Sequence, residues 1–597
     1  MSHQLYVCYE LPPIKPLVKL FLVIVSTLLV TGLSSSRAEQ TSREAPIELP
    51  AIVVTDSKLL PLPESWQYAK TGNFEILSNA SVRKTKYVVR DLLEFTRAVS
   101  FVWPAIQPKN VQTPLLILCG ANNSYTQFAP AENGPTTAGG ASLSLRDKEN
   151  AAIVIDLARS YLNIQNEDGA TQIEVDYTQQ LHREYVHFLL SRIEQRPQPW
   201  LEEGLAQMLA SMKYSSTLIE FAKLPDPNEV SVMQGMALRN NQIQTIASSD
   251  PSSADANTIP AFDPGPDQDK AFNTALSRRG FIPLDKMFSV KRSSEEALNT
   301  IGGSWSKQCW LFVHLCLYGE NQRYQKSFIK FIVRSEKEPI TEALFKECFN
   351  MSYKDMLMVF RGYVQWTSYK SIEMRPKDGK NPSTSDILIR DATDAEVGRM
   401  KGEALRMAGH PHEAHLALIA PYIRGAIDTD LIASIGLDEL AAGDSTRAAK
   451  FLEKATLAKT SRARAYLELG KLRLKEAVVK PEGPNAKLSD RQLMRVLDPL
   501  FQGRSFLPAF PETYSLIAQA WNKASAIPAE ANLRVVAKGL SVFPRNTELI
   551  YNTALLYSNN HPKAEVLKLV DYAINISQTD FDKQRFLALK NNLTASR

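Results

Sequence analysis

Leu181-His182-Arg183-Glu184-Tyr185-Val186-His187-Phe188-Leu189-Leu190, followed across Arg196-Pro197-Gln198 by Pro199-Trp200-Leu201-Glu202-Glu203-Gly204-Leu205-Ala206, is the stretch on which the fold of this 597-residue chain turns. Leu181, Tyr185, Phe188, Leu189 and Ile193 recur at helical spacing and give the first segment one apolar face, with Asp176 placed to cap its start. Pro197 and Pro199 end it. A second helix, from Pro199 to about Met212, stacks Leu201, Leu205 and Leu209 four apart. Trp200 is expected as a core wedge between the two helices, and Gly204 is expected to let them approach closely.

Two histidines four apart on a helix lie about 40° from one another around its axis, so both rings can reach one ion, while a Glu between them holds the attacking water. The two segments together resemble the metal-site helices of gluzincin-type zinc peptidases, where the first carries H-E-x-x-H and the second W-L-x-E-G-x-A. The resemblance implies an α+β gluzincin-like (zincin) domain with Glu184 in the general-base position, His187 as second metal ligand and Glu203 as third. Arg183 stands in the first-ligand position.

A guanidinium has no free lone pair and stays charged, so it cannot ligate zinc and would repel a dication beside it. Two protein ligands remain, one fewer than a catalytic zinc site uses. Arg183 is instead expected to sit between Glu184 and Glu203 and offset their charge. His182 is the alternative ligand. It precedes His187 by five residues, about 140° away on a regular helix, and would need a π-bulge to converge with it. An ordinary helix-surface pairing of Glu184 with His187 is the bland reading.

Ahead of these helices, residues 1–38 read as a signal peptide. Lys15 and Lys19 precede an apolar run from Leu20 to Gly32, and Ser36-Arg37-Ala38 offers a cleavage site; an uncleaved anchor is the alternative. Cleavage removes three cations and Glu10, taking the net charge from +5 to +3, a balance that demands neither nucleic acid nor an acidic surface. Cys119, Cys309, Cys316 and Cys348 lack metal-site spacing, and most read as buried thiols, one disulfide being open. After a linker at 39–65, an α/β segment begins. Phe74-Glu75-Ile76-Leu77 alternates as a strand, a helix runs from a cap at 79–81 to about Phe101, and residues 113–119 and 151–156 read as buried strands. Residues 136–146 read either as the edge strand along which a gluzincin lays its peptide or as a plain hairpin.

The α/β part with its two site helices is placed at 66–240, and a polar, proline-rich flexible insert at 241–272. A helical subdomain follows at 273–372. Its segments Phe281–Asp285 and Gln308–His314 resemble the region after the metal helices in a group of exported bacterial peptidase-MA-like proteins, a likeness covering roughly 66–370. His314 reads as a structural histidine.

Beyond a linker at 373–392, Gly402, Gly436 and Gly470 stand 34 apart, Gly409 and Gly443 keep that step, and so do Ala414 and Ala448. This is the tetratricopeptide period, so 393–597 is expected to be an all-α tetratricopeptide-like helical repeat domain, its register lost near 478–489 and regained around Gly539, Ala554 and Ala573. His410, His412 and His415 span a turn and a helix start, too poorly placed for a shared metal. No phosphate loop, Ser-His-Asp set or basic aromatic stripe occurs, which argues against nucleic-acid binding.

Three readings follow. One is an exported, periplasmic or extracellular, noncatalytic peptidase-like protein that binds a peptide or protein in its cleft and recruits a protein partner on the repeats, with no cofactor. The second is an active zinc metallopeptidase using His182 or an external ligand. The third is an envelope scaffold carried by the repeats. Contact with a membrane enters only through an uncleaved signal.

Overall fold

The computed structural model describes residues 48–50 and 60–595 apart from 73, 107–113, 121–123, 132–141, 159–160, 167–168, 175–176, 194–195, 216, 222–280, 299–303, 367–371 and 376–386. The expected signal segment, the insert at 241–272, the cap Asp176 and residues 136–141 of the expected edge strand lie outside that set. In chain order the strands are β1 (Gln67–Thr71), β2 (Phe74–Ser78), β3 (Leu115–Cys119), β4 (Ser142–Arg146), β5 (Ala151–Asp156), β6 (Tyr161–Asn166), β7 (Gly169–Glu174), β8 (Lys213–Tyr214), β9 (Ile219–Phe221), β10 (Ile372–Met374) and β11 (Ile389–Asp391). The helices of the first two-thirds are α1 (Val82–Val102), α2 (Tyr177–Ser191), α3 (Pro199–Ala210), α4 (Leu284–Ser289), α5 (Glu295–Leu298), α6 (Ser304–Tyr318), α7 (Gln325–Ser335), α8 (Glu342–Phe349) and α9 (Tyr353–Trp366).

Six strands form a mixed sheet in the order β11-β1-β2-β3-β5-β4, parallel where β3 pairs with β2 and β5 and antiparallel elsewhere. The apolar run Leu115–Cys119 is buried at every position because both sheet faces are covered. Leu116, Leu118, Ile153 and Ile155 face a core shared with α1, α2 and α3. Their neighbours Leu115, Ile117, Ala152 and Val154 face the other way, against Val397, Met400, Ala404 and Leu405. Those four belong to α10 (Asp394–Met407), the first helix of the expected repeats. That helix is therefore the third layer of an α/β sandwich. The stretch read as a linker at 373–392 carries β11, which pairs antiparallel with β1 at the sheet's far edge.

After α10 come α11 (Pro411–Ile423), α12 (Thr429–Ala441), α13 (Ser445–Leu457), α14 (Ala463–Val479), α15 (Asp490–Gly503), α16 (Pro511–Asn522), α17 (Glu530–Val542), α18 (Thr547–Ser558), α19 (Lys563–Ile576) and α20 (Asp580–Ala595). Successive helices pack on one another, as tetratricopeptide-like pairs do. The 34-residue glycine step has a packing cause. A Cβ on Gly402 would come within 2.6 Å of Leu418, one on Gly436 within 2.9 Å of Leu452, and one on Gly470 within 2.5 Å of Leu500. Each glycine thus lets a leucine of the following helix rest against backbone. Gly409 and Gly443 close the turns with φ of 87° and 93°. Around 480–489 α14 is followed by a single 3-10 turn at Pro484–Ala486 before Ser489 caps α15.

Two packing expectations need correction. Trp200 does not wedge between α2 and α3: it points into an aromatic cluster with Phe288, Phe312, Phe328 and Phe331, contributed by α4, α6 and α7. Gly204 likewise faces α6, where an added Cβ would lie 2.6 Å from both the Cys309 carbonyl oxygen and Val313. Position in the helix decides this, because residues 200 and 204 share a stripe of α3 about a quarter turn round from the one that meets α2. Gly204→Ala is expected to lower stability by about 1–3 kcal/mol through overpacking. Gly362→Ala, with nothing within 4 Å of its added Cβ, should leave the melting temperature unchanged or raise it. Cys119, Cys309, Cys316 and Cys348 are free and buried.

Candidate functional site

α2 and α3 pack on each other and bring the motif residues to one buried point. Arg183 lies at its centre, 5 % exposed. Its Nε donates to Glu203 Oε1 at 3.1 Å and its Nη2 to Glu203 Oε2 at 2.7 Å, a two-pronged pairing that only a guanidinium makes. Nη1 donates to Glu184 Oε1 at 2.8 Å. Ser142 on β4 donates to the same Glu184 oxygen at 3.3 Å, and Gln207, one turn beyond Glu203, donates to Glu203 Oε1 at 2.8 Å.

His187 completes the group. Its Nε2 lies 3.0 Å from Glu203 Oε2 and its Nδ1 lies 3.1 Å from Glu202 Oε1. Burial and the Arg183 charge push its pKa down, yet its hydrogen bonds to Glu202 and Glu203 outweigh them and raise it to about 9. Both ring nitrogens then carry protons. Burial works against ionised Glu203, but Arg183 and His187 hold its carboxyl well below the usual range. Glu202 is likewise held down, to about 2, by His187 and Arg196 against its burial.

These residues do not fit zinc. Both oxygens of Glu203 accept from Arg183, and that guanidinium, a permanent cation with no free lone pair, fills the space between Glu203 and Glu184. Among the described residues no three His, Cys, Asp or Glu side chains stand where they could share a metal ion.

His182 is not brought to this point. α2 is regular from Tyr177 to Ser191, so the five-residue offset turns His182 to another face. There its ring stacks on Phe95 at 3.9 Å, and its Nε2 lies 2.7 Å from Asp91 Oδ2 and 3.2 Å from the Tyr214 hydroxyl. The histidine's environment is that of a core residue with its polar atom satisfied. His314 is buried and bonded to Tyr363 at 2.9 Å. His410 points to the Ala129 carbonyl at 2.6 Å and His415 to Asp438 at 2.6 Å, so that histidine run does not converge.

β4 is the last strand of the sheet among the described residues and forms an antiparallel hairpin with β5, so its 142–146 part is at once a hairpin strand and, among those residues, an edge. Several neighbours of the site were not singled out from sequence. Glu202 accepts from Arg196 at 2.8 and 2.6 Å and from Arg292 at 3.2 Å. Gln207 could have been found, four residues after Glu203 on one helix; Arg292 carries no local signal.

A second buried charge cluster joins the front of the chain to the repeats. Arg462, at the start of α14, donates to Glu149 Oε2 at 2.6 Å and 3.2 Å, to Ser434 at 2.8 Å and closely to Glu403. Glu149 is fully buried in the turn between β4 and β5, and its other oxygen accepts from the Arg464 backbone at 3.0 Å. Asp147 in the same turn pairs with Arg406 and Arg464, and Glu75 on β2 takes both Nη atoms of Arg399 at 3.2 and 3.1 Å. Acidic residues of the sheet thus occupy basic ones on α10 and α14.

No family model matches this chain, and no curated protein matches it. Among solved structures it is similar to YrrB, a TPR protein with an unusual peptide-binding site, at 15% identity over 32% of this chain and 90% of that one, TM-score 0.26. It is also similar to MamA from Desulfovibrio magneticus RS-1, at 16% identity over 32% and 97%, TM-score 0.24. A third is TTC0263, a thermophilic TPR protein in Thermus thermophilus, at 13% identity over 32% and 96%, TM-score 0.23. Scores this low carry no argument; the tetratricopeptide-like character rests on the 34-residue step and the helix pairing.

Proposed function

We propose that this is an exported, noncatalytic protein built on a gluzincin-like fold, which binds an extended peptide beside β4 where the family's peptidases would cut one. The observation that carries the reading is the Arg183 guanidinium, held by Glu203 through two hydrogen bonds and by Glu184 through a third. Charge that a zinc ion would supply comes here from a side chain that cannot polarise a carbonyl as a Lewis acid or lower the pKa of water. Two further features support it: W-L-E-E-G-L-A on α3, and an edge strand tied through Ser142 to the general-base position. Export rests on the signal pattern at 1–38. The repeats are proposed to recruit a protein partner on helices after α14, since the sheet already engages α10 and α14.

Metal analysis tests the reading. The purified chain is expected to carry no stoichiometric zinc, whereas Arg183→His should gain about one zinc per chain and lose it again with Glu203→Gln. A parent chain whose bound zinc disappears in Glu203→Gln would defeat the noncatalytic reading. An Arg183→His variant that folds and gains no zinc would defeat the gluzincin-like reading of the site.

A further inference from the structure

The region where β4 meets the α2–α3 pair carries more cations than its own carboxylates can match. Glu202 serves His187, Arg196 and Arg292 at once. Arg192, one residue past the end of α2, lies with its guanidinium 5.4 Å from the Phe188 ring, and its Nε and Nη2 are buried with no hydrogen-bond partner. Leaving a buried donor of this kind unmatched costs about 1–3 kcal/mol or more. Arg146 is the fourth arginine. Alternation along β4 places Ser142, Ser144 and Arg146 on one face and Leu143 and Leu145 on the other. Ser142 reaches Glu184 and Leu145 packs in the core against α10, so Arg146 faces the site helices. It has no ion pair among the described residues. Partial burial of this surface arginine, and then the charges of Arg196, Arg292 and Arg192, lower its pKa, with Glu202 acting the other way.

We infer that this region selects acidic peptides: an extended segment pairs its backbone with the edge of β4, the last strand of the sheet among the described residues, and delivers a carboxylate side chain to Arg146 and Arg192. The inference rests on the peptide-binding reading above and adds the ligand's chemical class. An edge strand recognises a polypeptide backbone through its unpaired N–H and C=O groups, which a phosphate polymer does not offer. Guanidinium forks spaced beside that edge then take carboxylates in the two-pronged geometry that Glu203 already gives Arg183.

The test uses the full chain and a fluorescein-labelled decapeptide of alternating Glu and Val, with its Gln-for-Glu counterpart, followed by anisotropy. The Glu peptide is expected to bind at least about tenfold more tightly than the Gln peptide, and to weaken as salt rises from 50 to about 300 mM. Arg146→Glu, at an exposed position, and Arg192→Gln should each weaken the Glu peptide by about tenfold or more and leave the Gln peptide unchanged. Equal binding of the two peptides would overturn the acidic selectivity while leaving peptide binding intact. Binding of neither would overturn both. Displacement of the Glu peptide by an oligothymidylate of equal charge at equal concentration would assign the arginines to a phosphate polymer and overturn the inference.

Discussion

Arg462→Met is expected to destabilise the chain by about 3–5 kcal/mol, the cost of leaving buried charge uncompensated. Arg462 is 3 % exposed, and its two carboxylate partners, Glu149 and Glu403, are 0 % and 1 % exposed. Methionine fills most of the volume, so the loss comes from charge and hydrogen bonding rather than from a cavity. Glu403 also accepts from Asn150 and Ser434, which soften the effect without neutralising the charge. Arg462→Lys should fall between, since one ammonium cannot reach Glu149, Glu403 and Ser434 together. The urea midpoint, followed by circular dichroism, measures both. Arg495→Met, which removes an exposed pairing with Glu476 at 3.5 Å, should stay within about 0.5 kcal/mol of the parent. A shift for Arg462→Met no larger than that control would mean the cluster does not join the sheet to the repeats. Adding Glu149→Gln and Glu403→Gln should recover part of the loss, because the stranded charges are then gone.

Arg183→Met should have an effect of similar size, about 3–5 kcal/mol, for the same reason. Glu203 keeps His187 as a hydrogen-bonded cation, but among the described residues Glu184 keeps Ser142 alone. The second substitution that best restores stability is therefore expected to be Glu184→Gln rather than Glu203→Gln. Differential scanning calorimetry of the two double variants decides between them. Should Glu203→Gln rescue and Glu184→Gln not, the charge distribution described for the site would be wrong. Arg146→Met provides the contrast: with no ion-pair partner among the described residues, it should move the transition little, whatever it does to peptide binding.

How much of this was legible depended on distance along the chain. Arg183, Glu184, His187 and Glu203 fall within two adjacent helices, and their meeting could be anticipated from spacing and a helix-ending proline pair. The glycines at 402, 436 and 470 were legible as a period, and the period has a physical cause in the leucines they admit. Gly204 and Trp200 were assigned the wrong neighbour because helical spacing says which residues share a face, not which element covers it. His182 shows the reverse: its offset from His187 already argued against convergence, and Phe95 and Asp91 supply it with partners of its own.

By itself the sequence determined the two site helices, the strands around 74–77, 113–119 and 151–156, the repeat step and the identity of the cation between Glu184 and Glu203, because each depends on residues within a few turns of one another. Only the tertiary structure decided that α10 closes the sheet's second face, that β11 completes its far edge, and that Glu149 meets Arg462 across more than three hundred residues. Charge pairs of that range follow from how layers stack. A turn such as Asp147–Asn150 carries no local mark of the helix that will bury it.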